Sequence, residues 1–292
     1  MNIIVEWIEY ILLISFIKLI NIFPFKISFK ISRGIGLLLF FFDRRHRKVA
    51  LENLHASFPE KSIIEIKRIA QESFKNIGCI VIEIARVSQG GIDWIKEIVR
   101  LEGKENIDKG LKKGKGVLIM TAHIGNWEIG ALAGRDWKFN FVVRLLDNRF
   151  LNKFIYKIRT KFNSGMIVKK NAIKEILKCL RRNELVAILM DQNTGAHEGI
   201  FVDFFARKAC TNPVVAILAV RTGAPVLPVF TIREGVGKFK VIIGEEIEII
   251  PSGDYKRDIE KYTAQFTGII ESIVRKYPDQ WLWLHRRWKT RP

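Results

Sequence analysis

The chain has 292 residues, 48% of them hydrophobic and 11% aromatic, which excludes a disordered chain and supplies enough apolar material for one large core or two smaller ones. Forty-nine Lys and Arg against 30 Asp and Glu leave a formal charge of +19, a field suited to nucleic acid, an anionic bilayer, a phosphorylated lipid or an acidic carrier protein. Cys79, Cys179 and Cys210 form no CxxC and have no His at metal-ligand spacing, which argues against a disulfide framework or a zinc site and fits reduced core thiols.

The N-terminal stretch from Ile3 to Phe23 is strongly apolar, broken by Glu6, Glu9 and Lys18. It lacks a basic leader and a small-residue cleavage site, so a removed signal peptide is not expected. Lys26, Lys30 and Arg33, a second apolar run at Ile35–Phe42, and the cluster Arg44-Arg45-His46-Arg47-Lys48 follow. Positive charge after an apolar segment places the following domain in the cytoplasm. Residues 1–48 are therefore expected to form a membrane-associating apolar helix with a basic flank, spanning or interfacial, and residues 49–292 the main domain.

Ser62 and Glu65 predict a capping box opening a helix to about Arg86. Strand and helix signals then alternate: strand Val117–Thr121, helix Trp127–Asp136, strand Phe139–Val143, helix Phe150–Phe162, short strand Met166–Val168, helix Ala172–Arg182 and strand Leu185–Met190. A helix at Pro213–Thr222, strands at Val226–Ile232 and Phe239–Ile249, and a long helix at Tyr255–Lys276 complete the chain. Continuously apolar strands between amphipathic helices predict an α/β fold, with a mostly parallel central sheet flanked by helices on both faces.

Such a sheet carries its chemistry in loops beyond the carboxyl ends of its strands. Two such loops hold titratable residues: Thr121-Ala-His123 and Asp191-Gln192. His123 and Glu128 are five positions apart, which on one helix would turn them about 140° from each other. On a strand–loop–helix they meet: His123 ends the strand, Gly125 allows a tight turn, Asn126 caps the helix and Glu128 lies in its first turn. A carboxylate beside an imidazole selects its tautomer and stabilises the imidazolium, as a general base for an alcohol requires. No P-loop or GxGxxG is present, and no cofactor is called for.

The segments TAHIGNWEIGA at 121–131, LMDQNTG at 189–195, VDFFARKACT at 202–211, RTGAPVLPVF at 221–230 and QWLWLHRRWK at 280–289 together resemble the late acyltransferases of lipid A biosynthesis, the lauroyl and myristoyl transferases. The resemblance covers nearly the whole chain. It implies an O-acyltransferase on the cytoplasmic side of the inner membrane, moving a fatty acyl chain from acyl carrier protein to a phosphorylated lipid A precursor and touching anionic membrane lipids. It implies an HX4E dyad at His123 and Glu128, with Arg159 and Asp191 as further family positions in substrate binding; Asn126, beside the dyad, is read as a third substrate-binding position. Ala206 departs from the pattern, since relatives commonly have Gly after the paired phenylalanines.

Phe204 and Phe205 read as core, or as the lining of an acyl groove. The closing Trp281–Trp288 stretch mixes indoles with His285, Arg286 and Arg287, a combination that stacks on nucleic acid, sits at a bilayer interface or serves as a purely structural tail. The apolar N-terminus weighs for the membrane and against nucleic acid. His46, His55 and His197 have no evident partners and are assigned no role. Two other readings stay open: an acyltransferase acting on another glycolipid, such as a mannosyl-phosphatidylinositol, and a non-catalytic basic protein that binds membranes or nucleic acid.

Overall fold

The fold is taken from a computed structural model, which describes residues 3–134, 136–160, 163–169 and 172–292. Two apolar helices come first, α1 (Ile3–Ile22) and α2 (Phe25–Phe42), then α3 (Arg44–Ser57) and the long α4 (Ile63–Ile98). Both capping-box bonds at the start of α4 are made: Ser62 Oγ accepts from the Glu65 amide at 3.3 Å, and Glu65 accepts from the Ser62 amide at 2.9 Å. The helix runs past the predicted end at Arg86 and kinks where Gly91 adopts φ +65°.

The α/β core follows: β1 (Val99–Glu102), α5 (Lys104–Leu111), β2 (Val117–Thr121), α6 (Trp127–Ala133), β3 (Phe139–Val143), α7 (Arg149–Arg159), β4 (Ser164–Val168), α8 (Ala172–Arg181) and β5 (Leu185–Leu189). A hairpin of β6 (Ile200–Phe204) and β7 (Arg207–Thr211), helix α9 (Val214–Thr222), strands β8 (Val226–Gly235) and β9 (Lys238–Ile243), and α10 (Tyr255–Lys276) complete it. Phe162, the predicted end of the helix that forms α7, and Arg135, within the predicted helix that forms α6, lie outside the described residues.

Seven strands pair in the order β1-β9-β8-β2-β5-β3-β4. Every pairing is parallel except β8 with β9, which turn back on each other as a hairpin. The predicted strand Phe239–Ile249 is shorter than expected: β9 stops at Ile243, and Ile247 makes only a single bridge to Val226. The short, charged β1, the helix α5 and the β6–β7 hairpin were not expected.

Alternation along the central strands explains why the sheet is covered on both faces. Leu118, Met120, Val186 and Ile188 point into one core with residues of α4, α8, α9 and α10. Their neighbours Val117, Ile119, Leu185 and Ala187 point into a second, with Ile107 of α5, Ile129 of α6 and Ile158 of α7. A strand buried on both sides has no polar face, which is why these segments read as unbroken apolar runs.

Phe40 of α2 and Ala50 and Leu54 of α3 join the first core, so the main domain's packing begins before residue 48. Arg33 of α2 is paired with Glu72 of α4 at 2.7 Å. Helix α1 is anchored at both ends: buried Glu6 pairs with Arg149 at 2.8 Å, its carbonyl accepts from Asn148 and Trp7 packs on Phe150, while Ile17 and Ile20 are buried and the Ile20 carbonyl accepts from Ser28. Much of the remainder is bare: Ile4, Ile8, Leu12 and Leu19 of α1, with Leu38 and Phe42 of α2, are more than half exposed. Among the described residues no helix is long and apolar enough to cross a membrane.

The tryptophan-rich tail belongs to the core. Trp281 and Trp283 are 1% and 0% exposed and pack on Phe204, Phe205 and Phe58. This corrects the bilayer-interface reading of these indoles: they close the first core, with Trp283 Nε1 donating to the Pro278 carbonyl. Phe204 and Phe205 are likewise buried core. Phe205 and Ala206 form the two-residue turn between β6 and β7, and both have φ near +54°. That is the primed hairpin turn favoured by Asn-Gly, a geometry glycine would take with less strain than the alanine at 206.

Candidate active site

Strands β2 and β5 are parallel neighbours in a register that sets Thr121 beside Leu189. Two residues beyond each of these, the chains place His123 and Asp191 side by side. Asp191 is 3% exposed and grips His123 at two points, accepting from its backbone amide at 2.9 Å and bonding ring Nδ1 at 2.8 Å. Trp281 donates its indole N–H to the same carboxylate at 2.8 Å. Burial alone would raise the Asp191 carboxyl, but the positive charge of His123 and the hydrogen bonds from His123 and Trp281 outweigh it and hold the group at about 2.

An ionised carboxylate only accepts, so Nδ1 carries the proton of the neutral ring and Nε2 presents a lone pair. The Gln192 side-chain amide lies 3.3 Å from that nitrogen. His123 itself remains partly open, with 18% of its side chain accessible. The ring stands edge-on to Trp127, centroids 4.9 Å apart.

Glu128 is placed differently from the sequence expectation. Among the described residues the carboxylate that holds His123 is Asp191, and Glu128 turns to Arg159. The guanidinium meets it in a bidentate pair, Nε to Oε2 at 2.8 Å and Nη2 to Oε1 at 2.5 Å. Trp127 Nε1 adds a bond to Glu128 at 3.1 Å. Trp127 thus stands between the two expected partners, touching His123 with its ring and Glu128 with its N–H. Arg159, expected to meet substrate directly, has its charge engaged by Glu128 and packs over the Phe141 ring.

The elbow joining His123 to α6 is tightly supported. Gly125 takes φ +59°, and a side chain there would run into the Thr231 carbonyl. Asn126 caps α6, accepting from the Ile129 amide at 3.1 Å, while its amide donates to Glu83 at 2.7 Å. With 0% exposure and both ends occupied, Asn126 positions the elbow and presents no face to a substrate, contrary to its expected binding role.

Sequence reasoning missed the network beneath this elbow. Glu83, wholly buried, is paired with Arg233, and Arg233 Nε donates to Asn76, whose amide reaches the Gly125 carbonyl. Burial raises the Glu83 carboxyl despite the opposing pull of Arg233. Arg287 was also missed: 1% exposed, it donates to the carbonyls of Gln192 and Cys210 and to Thr211, tying the loop after β5 to β7. Burial lowers its guanidinium to about 10. These residues lie on a helix, a strand and a tail far apart in sequence, and local spacing carries no sign of their meeting.

Comparison with known proteins adds a second line. A family model described as bacterial lipid A biosynthesis acyltransferase matches residues 1–290. The chain is 28% identical over 277 residues to the lipid A biosynthesis lauroyltransferase of Escherichia coli, covering 92% of this chain and 87% of that protein. It is 26% identical over 272 residues to the palmitoleoyltransferase of the same organism, again covering 92% and 87%. The Escherichia coli myristoyltransferase is 25% identical over 249 residues, covering 84% and 76%.

Proposed function

The chain belongs to the bacterial lipid A biosynthesis acyltransferase family, and from that premise we propose that it moves a fatty acyl chain from the thioester of acyl carrier protein to a hydroxyl of a phosphorylated lipid A precursor, with His123 as general base. The observation that carries this reading is the bond from His123 Nδ1 to buried Asp191, which turns the Nε2 lone pair to the carboxyl edge of the sheet, where the acceptor hydroxyl takes the place of the Gln192 amide.

The acceptor hydroxyl gives its proton to Nε2 as its oxygen bonds to the thioester carbon. The ring becomes an imidazolium beside an ionised carboxylate, a partner preorganised to stabilise it. The negative charge on the former carbonyl oxygen needs donors. The Gly125 amide is taken by the Gln280 carbonyl at 3.0 Å, so the amides of Trp127 and Glu128, which have no intrahelical acceptor in the first turn of α6, are assigned this part. As the C–S bond breaks, Nε2–H returns the proton to the departing thiolate. The products are an ester and the free carrier thiol, and direct transfer needs no enzyme-bound acyl group. Glu128 and Arg159, locked together, hold Trp127 against the His123 ring and set one wall of the site.

The exposed apolar faces of α1 and α2 support an enzyme working at the inner membrane, its site on the cytoplasmic side, where acyl carrier protein and anionic lipids are both available. The test is mass spectrometry of lipid A-type glycolipids from cells with and without the chain. The proposal requires one acyl increment to disappear with the protein; glycolipids of identical mass in both strains would refute it.

A further inference from the structure

A basic concavity opens beside the site, and none of the residues assigned above to chemistry lines it. Its volume is about 320 Å³, and its walls include Arg45, His46, Asn193, His285, Arg286 and Lys289. One wall is the first turn of α3, whose N-terminal end is capped by Asp43 and whose side chains Arg45 and His46 face the cavity. The other is the C-terminal segment after Trp283. The floor is the loop after β5, where the Asn193 amide donates to His285 Nε2 at 2.9 Å and the Asn193 side chain exchanges bonds with Thr290. That same loop carries Gln192, whose amide reaches His123 Nε2, and Asp191.

Two features identify the ligand. The first is charge: among the described residues, Arg45, Arg286 and Lys289 have no carboxylate within ion-pair distance, and His46 is paired with Asp43 at 2.6 Å. Elsewhere this chain satisfies many of its cations, with pairs such as Arg33–Glu72, Lys113–Glu246 and Arg275–Glu271. Three cations converging on one concave surface suit a dianion. The second is the exposed apolar surface that directly precedes Arg45 in the chain. The last turn of α2 lies immediately before Arg44 and Arg45, and Leu38, Leu39, Phe41 and Phe42 there are 55%, 46%, 49% and 80% exposed. An anionic pocket occupant with hydrocarbon next to it is an amphiphile, so a soluble anion leaves this surface unexplained.

We infer that the concavity between α3 and the C-terminal segment binds the phosphate of the phosphorylated lipid acceptor, with Arg45, Arg286 and Lys289 on the phosphate and the end of α2 against the lipid chains. This rests on the acyltransferase reading for the identity of the acceptor. Its added content is a place and a set of residues: the phosphate docks on the loop that carries Gln192 and Asp191, so that binding the headgroup brings a sugar hydroxyl towards His123. The volume, at the lower end of ligand-pocket sizes, suits a headgroup and leaves the chains outside.

The test uses full-length protein in detergent and the variant Arg45→Ala/Arg286→Ala, whose positions are both exposed. Losing two charge-assisted contacts is expected to raise KM for the phosphorylated acceptor roughly 10- to 100-fold, with kcat and KM for the acyl carrier thioester nearly unchanged. With phosphatase-treated acceptor, wild type and variant should converge. The equally exposed pair Lys256 and Arg257 on α10, both changed to alanine, controls for general surface charge and should leave acceptor KM unaltered. An unchanged acceptor KM in Arg45→Ala/Arg286→Ala overturns the inference. So does a rise confined to the donor, which would assign the pocket to the carrier's phosphate arm, or an equal rise in the α10 control. Calorimetric titration with inorganic pyrophosphate tests the site without turnover: binding to wild type that the variant loses supports it, and absence of binding to both refutes it even if transfer is intact. If binding behaves as expected and wild type transfers no acyl chain, the site stands and the acyltransferase reading falls.

Discussion

Replacing Asp191 with asparagine changes one atom and, on this account, reverses the function of His123. The two carboxylate oxygens have unequal duties. Oδ2 accepts from two donors, the His123 backbone amide and the Trp281 indole, whereas Oδ1 meets only Nδ1 of the ring. The amide will keep its oxygen where two N–H groups point and turn its NH2 towards Nδ1. Nδ1 must then accept, the proton moves to Nε2, and the nitrogen facing substrate no longer has a lone pair. In a Ser-His-Asp triad the same change costs about 10⁴ in kcat through the wrong tautomer; here, with the ring part-exposed and free to exchange tautomers, a loss of about 10³-fold is expected. KM should move little, since both substrates bind outside the buried carboxylate, and side-chain volume and two of the three hydrogen bonds persist, so the fold should hold. Steady-state transfer with separate variation of donor and acceptor gives both constants. Near-normal kcat in Asp191→Asn would refute the tautomer argument and with it the role given to Asp191.

Glu128→Gln breaks the bidentate pair with Arg159 while keeping its shape, and should lower kcat by about 10- to 100-fold, a smaller loss than Asp191→Asn, because the effect reaches His123 only through Trp127; the reverse ranking in the same assay would return the direct dyad to Glu128. Ala206→Gly relieves a left-handed alanine, a strain of about 1–2 kcal/mol partly offset by glycine's extra entropy when unfolded, so thermal unfolding should shift upward by about 1–3 °C, and a lower midpoint would contradict the turn assignment. Burial pushes the His285 imidazole down from its ordinary 6.5 to about 4, so below that ordinary value the unfolded chain takes up a proton that the folded chain refuses. Stability is therefore fully present above about pH 6.5 and falls as pH drops towards 4, with a limiting slope of about 1.4 kcal/mol per pH unit. His285→Gln keeps an acceptor for Asn193 and should flatten that part of the profile in denaturant titrations; superimposable profiles would count against a buried neutral His285.

Both chemical loops were legible in the sequence, because VLIM and LVAIL are continuously apolar and each is followed within three residues by a titratable side chain, His123 or Asp191. That these two strands are neighbours was not legible, since strand order is set by the packing of the whole sheet. The sequence argument therefore joined His123 to the nearest carboxylate along the chain, and the register of β2 on β5 joins it to one 68 residues away. The tail was misread for a related reason. Trp281 and Trp283 stand among basic residues, yet burial is decided by what covers them, and Phe58, Phe204 and Phe205 come from distant elements. The β6–β7 hairpin escaped notice because its turn is Phe-Ala and lacks the glycine or asparagine that signals a two-residue reversal. Helix starts fared better: the caps at Ser62 and Asn126 are local devices, written in residues three apart.

The central claim, that His123 takes the acceptor's proton during acyl transfer, is tested most directly by purified His123→Ala in single-turnover reactions with acyl carrier thioester and phosphorylated lipid A precursor. General-base catalysis predicts ester formation slowed by at least ~100-fold, with far-ultraviolet circular dichroism and acceptor affinity unaltered. Transfer at the wild-type rate by the folded alanine variant would contradict it.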